Sequence, residues 1–217
     1  MSKKKIAKAS KAESLLIELL TEELPPKNLR KISNAFGEYL YDFLSDNRFL
    51  QNTDTEYLVY TTPRRIAAVF PTVLDVQEDR GDSVRKGPSV AVGLDKNGKP
   101  TNALVGFARS IGVPIENLER AGDDKLDYFV YRVPVKREPL DAKLAGIVDK
   151  ALKALPIPKM MRWGDGDAQF VRPVHGLVML HGSKVVPGTV LGLASGNRTR
   201  GHRFLGKSEI TLTNADE

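Results

Sequence analysis

The chain reads as an α+β protein, a mixed and mainly antiparallel sheet or sheets with amphipathic helices packed on them. Three observations predict this class. Runs rich in β-branched and aromatic residues occur at 57–61, 66–76 and 128–135. Two segments, one opening at Pro25-Pro26 and one covering 140–155, repeat apolar residues at helical spacing. Strand-like and helix-like segments are intermixed and joined by hairpin-length links.

Taken in order, the start MSKKKIAKASKAES carries lysines with no apolar core behind them and no small-residue cleavage pattern. Residues 1–13 are therefore expected to be a disordered basic tail rather than a secretory signal, with contact to nucleic acid as the second reading. LLIELLT at 15–21 fits a strand or a buried helix by periodicity alone. The Pro25-Pro26 pair decides it. A strand ends near Thr21 and a helix begins at the prolines, which a first turn tolerates. Leu29, Ile32, Phe36, Tyr39, Leu40 and Phe43 give that helix one apolar stripe, and Glu22 and Glu23 precede its positive end.

Strands at 57–61 and 66–76 flank TTPRR, and 77–88 is charged and irregular. LDKNGKP at 94–100 is a turn. Thr101 caps a helix carrying Leu104, Val105, Ala108 and Ile111. After the strand at 128–135, Leu140, Leu144, Ile147, Val148, Ala151, Leu152 and Leu155 mark a second amphipathic helix.

LPIPKMMRWGDGDAQFVRPVHG at 155–176 is too broken by proline for a helix. Pro156 and Pro158 stiffen its approach, Met160, Met161 and Trp163 anchor it in a core, and Gly164 and Gly166 allow a reversal from which FVRPVH returns as a strand. A hairpin follows, with strands at 174–180 and 185–193 around His181-Gly182-Ser183-Lys184. A last strand covers 210–212, and Asn214 with Glu217 resembles a capping box, the expected mark of a chain cut from something longer. Residues 14–217 read as one region, with a subdomain break placed near 123–124 or 156–158.

The bulk numbers narrow the function classes. The 217 residues include no cysteine, which removes disulfides, thiol catalysis and thiolate zinc sites. No apolar run approaches a membrane span, so no membrane partner is expected. The net charge is +6, and its distribution matters more than its size. Between 159 and 207 the bases are Lys159, Arg162, Arg172, Lys184, Arg198, Arg200, Arg203 and Lys207, against only Asp165 and Asp167.

Four places carry candidate anion-binding chemistry. Arg64 and Arg65 stand at a strand corner, where guanidinium forks fit phosphates or structural ion pairs. If Arg65 opens the next strand, the two side chains point to opposite faces, and one pairs internally. Lys86 sits in a Lys-Gly-Pro turn too short for a phosphate-binding loop. Arg162 and Arg172 lie on the frame around Trp163. The densest run is 197–204, with Arg198, Arg200, His202 and Arg203 beside Phe204, which fits a phosphate-rich RNA surface or a solvated loop paired with Asp165 and Asp167. Asp165, Asp167, His175 and His202 lack the spacing of a metal site, and no nucleophile or acid–base pair stands out. The expectation is no catalytic and no metal-ligating residue.

Seven blocks in order then carry a resemblance. TEELPP (21–26), TPRRIA (62–67), KGP (86–88), GFAR (106–109), LPIPKMMRWG (155–164), FVRPVH (170–175) and RGHRF (200–204) closely resemble the N-terminal part of the β subunit of bacterial two-subunit glycyl-tRNA synthetases. The likeness covers the chain after its lysine tail. One departure is Leu19-Leu20, where that family often has Ile-Gly. The resemblance implies a cytoplasmic glycine–tRNA ligase working as an α/β heterotetramer. ATP and Mg would be used through the α subunit, with no cofactor in this region and no catalysis by it alone. The implied partners are the α subunit and glycine-specific tRNA. The contribution expected here is tRNA binding, subunit assembly or both. The alternatives are a purely structural module that docks α without touching RNA, and a free-standing hydrolase or metal enzyme using His175 and His202.

Overall fold

A computed structural model describes residues 10–51, 54–79, 81, 83–123, 126–133, 136–157, 159–201, 206 and 209–217. The elements begin with β1 (Ala12–Thr21), α1 (Pro26–Asp46), β2 (Leu58–Thr62), β3 (Arg65–Leu74), β4 (Ser83–Ser89), α2 (Val90–Gly93) and α3 (Asn102–Ile111). They continue with β5 (Glu119–Asp123), β6 (Leu126–Val133), α4 (Leu140–Ala154), β7 (Met161–Arg162), β8 (Gln169–Phe170) and β9 (Val174–His181). Short strands complete the chain: β10 (Lys184–Val185), β11 (Thr189–Val190), β12 (Leu193–Ala194), β13 (Arg198–Thr199) and β14 (Ile210–Thr211). The class is α+β with antiparallel pairing throughout the strand ladders.

The chain forms two compact units, one from Met1–Glu78 with Arg137–Glu217 and one from Asp79–Lys136. Both positions expected for a break, 123–124 and 156–158, fall inside a unit, and the boundaries lie at 78/79 and 136/137.

In the first unit a five-stranded sheet has the order β10-β9-β1-β3-β2. β1 is central, and this explains why LLIELLT does not alternate. Leu15, Ile17 and Leu19 face a core made with α1 and α4, while Leu16 faces a second cluster with Ala67, Val178, Leu180, Leu212 and Ala215. Both faces are covered, so both sets are apolar. β1 also begins three residues earlier than the apolar run, taking in Ala12, Glu13 and Ser14.

α1 starts at its proline, as read, and buries Ile32, Phe36, Leu40 and Leu44, four residues apart. Leu29, Tyr39 and Phe43 are partly buried beside that stripe. Each fully buried leucine or phenylalanine contributes about 1.5–3 kcal/mol relative to exposure. Ser33 is buried without cost in unpaired polarity, because its hydroxyl donates to the Leu29 carbonyl at 2.8 Å. Gly37 lets β2 lie directly on the helix: an added Cβ would come within 2.4 Å of Val59 Cγ2 and 2.7 Å of Tyr57 Cε2. α4 buries Leu140, Leu144, Ile147, Val148, Ala151 and Leu152 against the same core.

Several sequence expectations change. The return strand at 185–193 is interrupted. β10 stops at Val185, and Pro187 together with positive φ at Leu191 (53°) and Gly192 (78°) turns the chain into the small β11–β12 hairpin. His181 belongs to β9 rather than the turn; it is buried, with Nε2 2.8 Å from the Val73 carbonyl. The 155–176 stretch forms the β7–β8 hairpin around Gly164 (φ 62°), with Trp163 partly buried against the core. Met160 and Met161 are about 40% exposed and do not anchor it; Phe170 and Val171 do. At 213–217 the Glu217 carboxylate accepts chiefly from Thr213, at 2.6 Å from N and 2.9 Å from Oγ1, and also from the Asn214 backbone, while Asn214 Oδ1 accepts from Asp216 N at 3.2 Å.

The second unit is a three-stranded sheet, β4-β6-β5, with α2 and α3. Part of the segment read as irregular, 77–88, is its edge strand β4. Gly87 lies against Phe107 of α3, and Gly93 against Phe129 of β6.

Candidate nucleic-acid interface

Sequence blocks far apart in the chain converge at one end of the first unit's sheet. Backbone hydrogen bonds hold TEELPP between the other two blocks. Thr21 N donates to the Arg64 carbonyl (2.9 Å), Glu22 N to the Pro173 carbonyl (2.9 Å) and Leu24 N to the Pro63 carbonyl (2.7 Å). Arg172 Nε donates to the Glu23 carbonyl at 3.0 Å, and its Nη1 lies 3.1 Å from Met161 Sδ. The side chains follow the backbone. The Glu22 carboxylate meets Arg64 Nη2 at 2.9 Å and His175 Nε2 at 2.8 Å. A shallow groove beside them is lined by Pro25, Asn28, Lys159, Met161, Val171 and Arg172.

Arg64 and Arg65 diverge as strand geometry requires. Arg64 sits in the β2–β3 turn, over a third exposed. Arg65 opens β3 and turns to the sheet face opposite α1, where its Nε lies 3.3 Å from Glu18 Oε2. Glu18 is only 5% exposed, on the central strand between Ala67 and Val178 in register. It accepts a hydrogen bond from the Thr199 hydroxyl, and Arg65 Nη2 donates to the Arg200 carbonyl. Burial raises the Glu18 carboxyl above its ordinary value, partly offset by the Thr199 hydrogen bond and the Arg65 charge.

The remaining candidates are exposed. Arg198 pairs with Glu209 at 3.0 Å, and Arg200 is exposed on the other side of Thr199. Arg162 is 3.5 Å from a fully exposed Asp167. Exposed pairs such as Arg64–Glu22 and Arg198–Glu209 contribute about 0–1 kcal/mol, so a phosphate can replace the carboxylate at little cost. Lys86 belongs to the second unit, where its ammonium sits 3.6 Å from the Tyr128 ring centre. His202 and Arg203 lie outside the described residues.

The contacts therefore form two sets: Arg64 and Arg172 around Glu22 and Glu23 at the sheet end, and Arg65 with Arg200 on the sheet face opposite α1, with Arg162 on β7 and Arg198 on β13. Sequence reasoning passed over Glu18, Thr199 and Glu22 as site residues. Glu18 did leave a signal, a single charge inside an apolar strand run. Among the described residues no three His, Asp or Glu side chains are placed to hold a metal ion. No helix among them is long and apolar enough to cross a membrane.

The family model described as glycyl-tRNA synthetase beta subunit matches residues 15–217. The chain belongs to this family. A glycine–tRNA ligase β subunit of Neisseria meningitidis serogroup B is 48% identical over 204 residues, covering 94% of this chain and 29% of that protein. The corresponding proteins of Yersinia enterocolitica and Serratia proteamaculans are 44% identical over 208 residues and 43% over 205, with the same coverage. The chain thus spans 29% of the length of these relatives. Within this member of the glycyl-tRNA synthetase β-subunit family, TEELPP, the Pro-Arg-Arg of TPRRIA and FVRPVH are the blocks that meet at the sheet end.

Proposed function

We propose that this chain is the N-terminal part of the β subunit of a glycine–tRNA ligase and contributes tRNA binding to that enzyme. The reading rests on the family match across 15–217. The whole enzyme would attach glycine to its tRNA with ATP and Mg, using an α subunit as partner in a heterotetramer, in the cytoplasm. No ATP or metal step falls to residues of this chain. Its own part is electrostatic. Arg64, Arg162, Arg172, Arg198 and Arg200, and Lys86 in the second unit, are the candidate phosphate contacts; each is exposed or half-buried, and Arg64, Arg162 and Arg198 pair with surface carboxylates. His202 and Arg203 extend the same run in sequence. Arg65 differs, being engaged by Glu18 and the Arg200 carbonyl.

A second reading is docking of the α subunit without RNA contact. Leu58 and Tyr60 favour it, being 52% and 56% exposed on the edge strand β2. The test is titration of the chain with glycine-specific tRNA at two salt concentrations beside a non-cognate tRNA. Phosphate contact predicts saturable binding that falls steeply with salt. No binding by the folded chain overturns the RNA reading in favour of docking, which resists salt and depends on apolar residues such as Leu58 and Tyr60.

A further inference from the structure

Arg198 and Arg200 flank a residue that points the other way. Thr199 is 6% exposed and turned onto the sheet, whereas both arginines are exposed. Arg198 lies on the two-residue strand β13 and Arg200 directly follows it; β13 pairs with the two residues of β14, and Asn197 extends the pairing to Leu212 through two hydrogen bonds of 2.8 Å. A ladder this short does not hold its own geometry in water. Gly196 N donates to the Leu177 carbonyl at 3.0 Å just before it, and two further ties lie beneath. The Thr199 hydroxyl donates to Glu18, and the Arg200 carbonyl accepts from Arg65. Glu18 in turn faces Arg65 Nε at 3.3 Å and is anchored on β1, the central strand of the sheet.

We propose that Glu18, Arg65 and Thr199 form a positioning clamp that presents Arg198 and Arg200 outward as a pair for the phosphodiester backbone of RNA. The proposal rests on the tRNA-binding reading above. A buried carboxylate facing a half-buried guanidinium is a poor source of stability compared with apolar residues of the same volume. Placed here, they reach two successive residues of the run, one through its side chain and one through its backbone. Arg65 can do this because its guanidinium holds Nε 3.3 Å from Glu18 Oε2 as an ion pair while a different nitrogen, Nη2, donates to the Arg200 carbonyl; a lysine has a single ammonium. Fixing the backbone beforehand reduces the ordering cost at binding. Three residues that do not touch RNA thus set the affinity of two that do.

The experiment measures binding of labelled glycine-specific tRNA to the chain by anisotropy across a salt series. Folding of each variant is checked by the fluorescence of Trp163. Arg198→Ala/Arg200→Ala is expected to lower the slope of log affinity against log salt by roughly 1–2. Thr199→Val retains both arginines and the side-chain shape. It is expected to weaken binding about 3- to 10-fold at low salt and to reduce the slope, with Thr199→Ser restoring both. Arg65→Lys keeps the charge beside Glu18 and is expected to match Thr199→Val, so the proposal stays testable if one variant misfolds. If the double alanine variant binds like the unmodified chain, the RNA reading of this run fails and the clamp fails with it. If that variant loses affinity but Thr199→Val and Arg65→Lys bind normally, the RNA reading stands and the clamp is overturned. A lower unfolding midpoint with an unchanged salt slope would likewise reduce the clamp to a purely structural contact.

Discussion

Replacing Gly37 by alanine sets two opposing terms against each other. In an exposed helix interior the change is favourable by about 1 kcal/mol, since alanine is the better helix former. Here the new methyl would lie 2.4 Å from Val59 Cγ2 and 2.7 Å from Tyr57 Cε2. Carbon atoms pack best at roughly 3.5–4.0 Å, so both contacts are far inside the repulsive wall. Tyr57 has little room to retreat, its ring centre being 5.5 Å from that of Tyr41 and 5.3 Å from that of Phe70. Val59 is on edge strand β2, which can shift, but only by loosening its ladder with β3. Overpacking of this kind costs about 1–3 kcal/mol, with the immobile ring favouring the upper part of that range. The net expectation is destabilisation by about 1–2 kcal/mol. The assay is urea unfolding followed by the fluorescence of Trp163, which reports on the first unit. With a slope of roughly 2 kcal/mol per M, the midpoint should fall by about 0.5–1 M. Adding Val59→Ala should recover part of the loss and leave the Tyr57 contact. A midpoint above that of the unmodified chain would show that helix propensity wins and that β2 does not lie this close to α1.

Two further outcomes use the same assay. Leu144→Ala, at a fully buried site on α4, should cost about 2–5 kcal/mol, whereas Leu58→Ala, 52% exposed on β2, should stay within about 0.5 kcal/mol. Glu18→Gln should change the pH dependence of stability. The folded carboxyl lies above its ordinary 4.5, chiefly through burial, so the folded state holds the proton more tightly than the unfolded state. Its contribution is complete below the unfolded value and is lost as pH rises through the folded one. The stability of the unmodified chain relative to Glu18→Gln should therefore decline as pH rises above the ordinary carboxylate value and through the raised folded one, and a relative gain with rising pH would refute the assignment.

The elements with strong local periodicity were legible in the sequence. α1 and α4 were set by their apolar repeats and by a proline at the first turn of α1, and β3 by its β-branched run. β4 was missed because its residues, SVRKGPS, are mostly charged or small, and its pairing is supplied by β6, distant in sequence, from Ser83 opposite Val133 to Ser89 opposite Tyr128. The return strand was overextended because apolar content at 185–193 looked continuous, while Pro187 and two positive φ values break it. The cationic candidates were legible as residues, but their roles were not. Arg64 and Arg65 are adjacent in sequence, yet one is a surface pair with Glu22 and the other is turned onto Glu18.

By itself the sequence determined which residues could be strand, helix or phosphate contact, and the order of its seven blocks carried the family. Those properties depend on side-chain type and short spacings, which a linear reading preserves. Tertiary structure alone decided that Glu18 and Thr199, separated by 181 positions, share a hydrogen bond, and that TEELPP is held between Pro63-Arg64 and Pro173. Such pairings arise because sheet register brings distant segments within about 5 Å of each other, and no local preference encodes that distance.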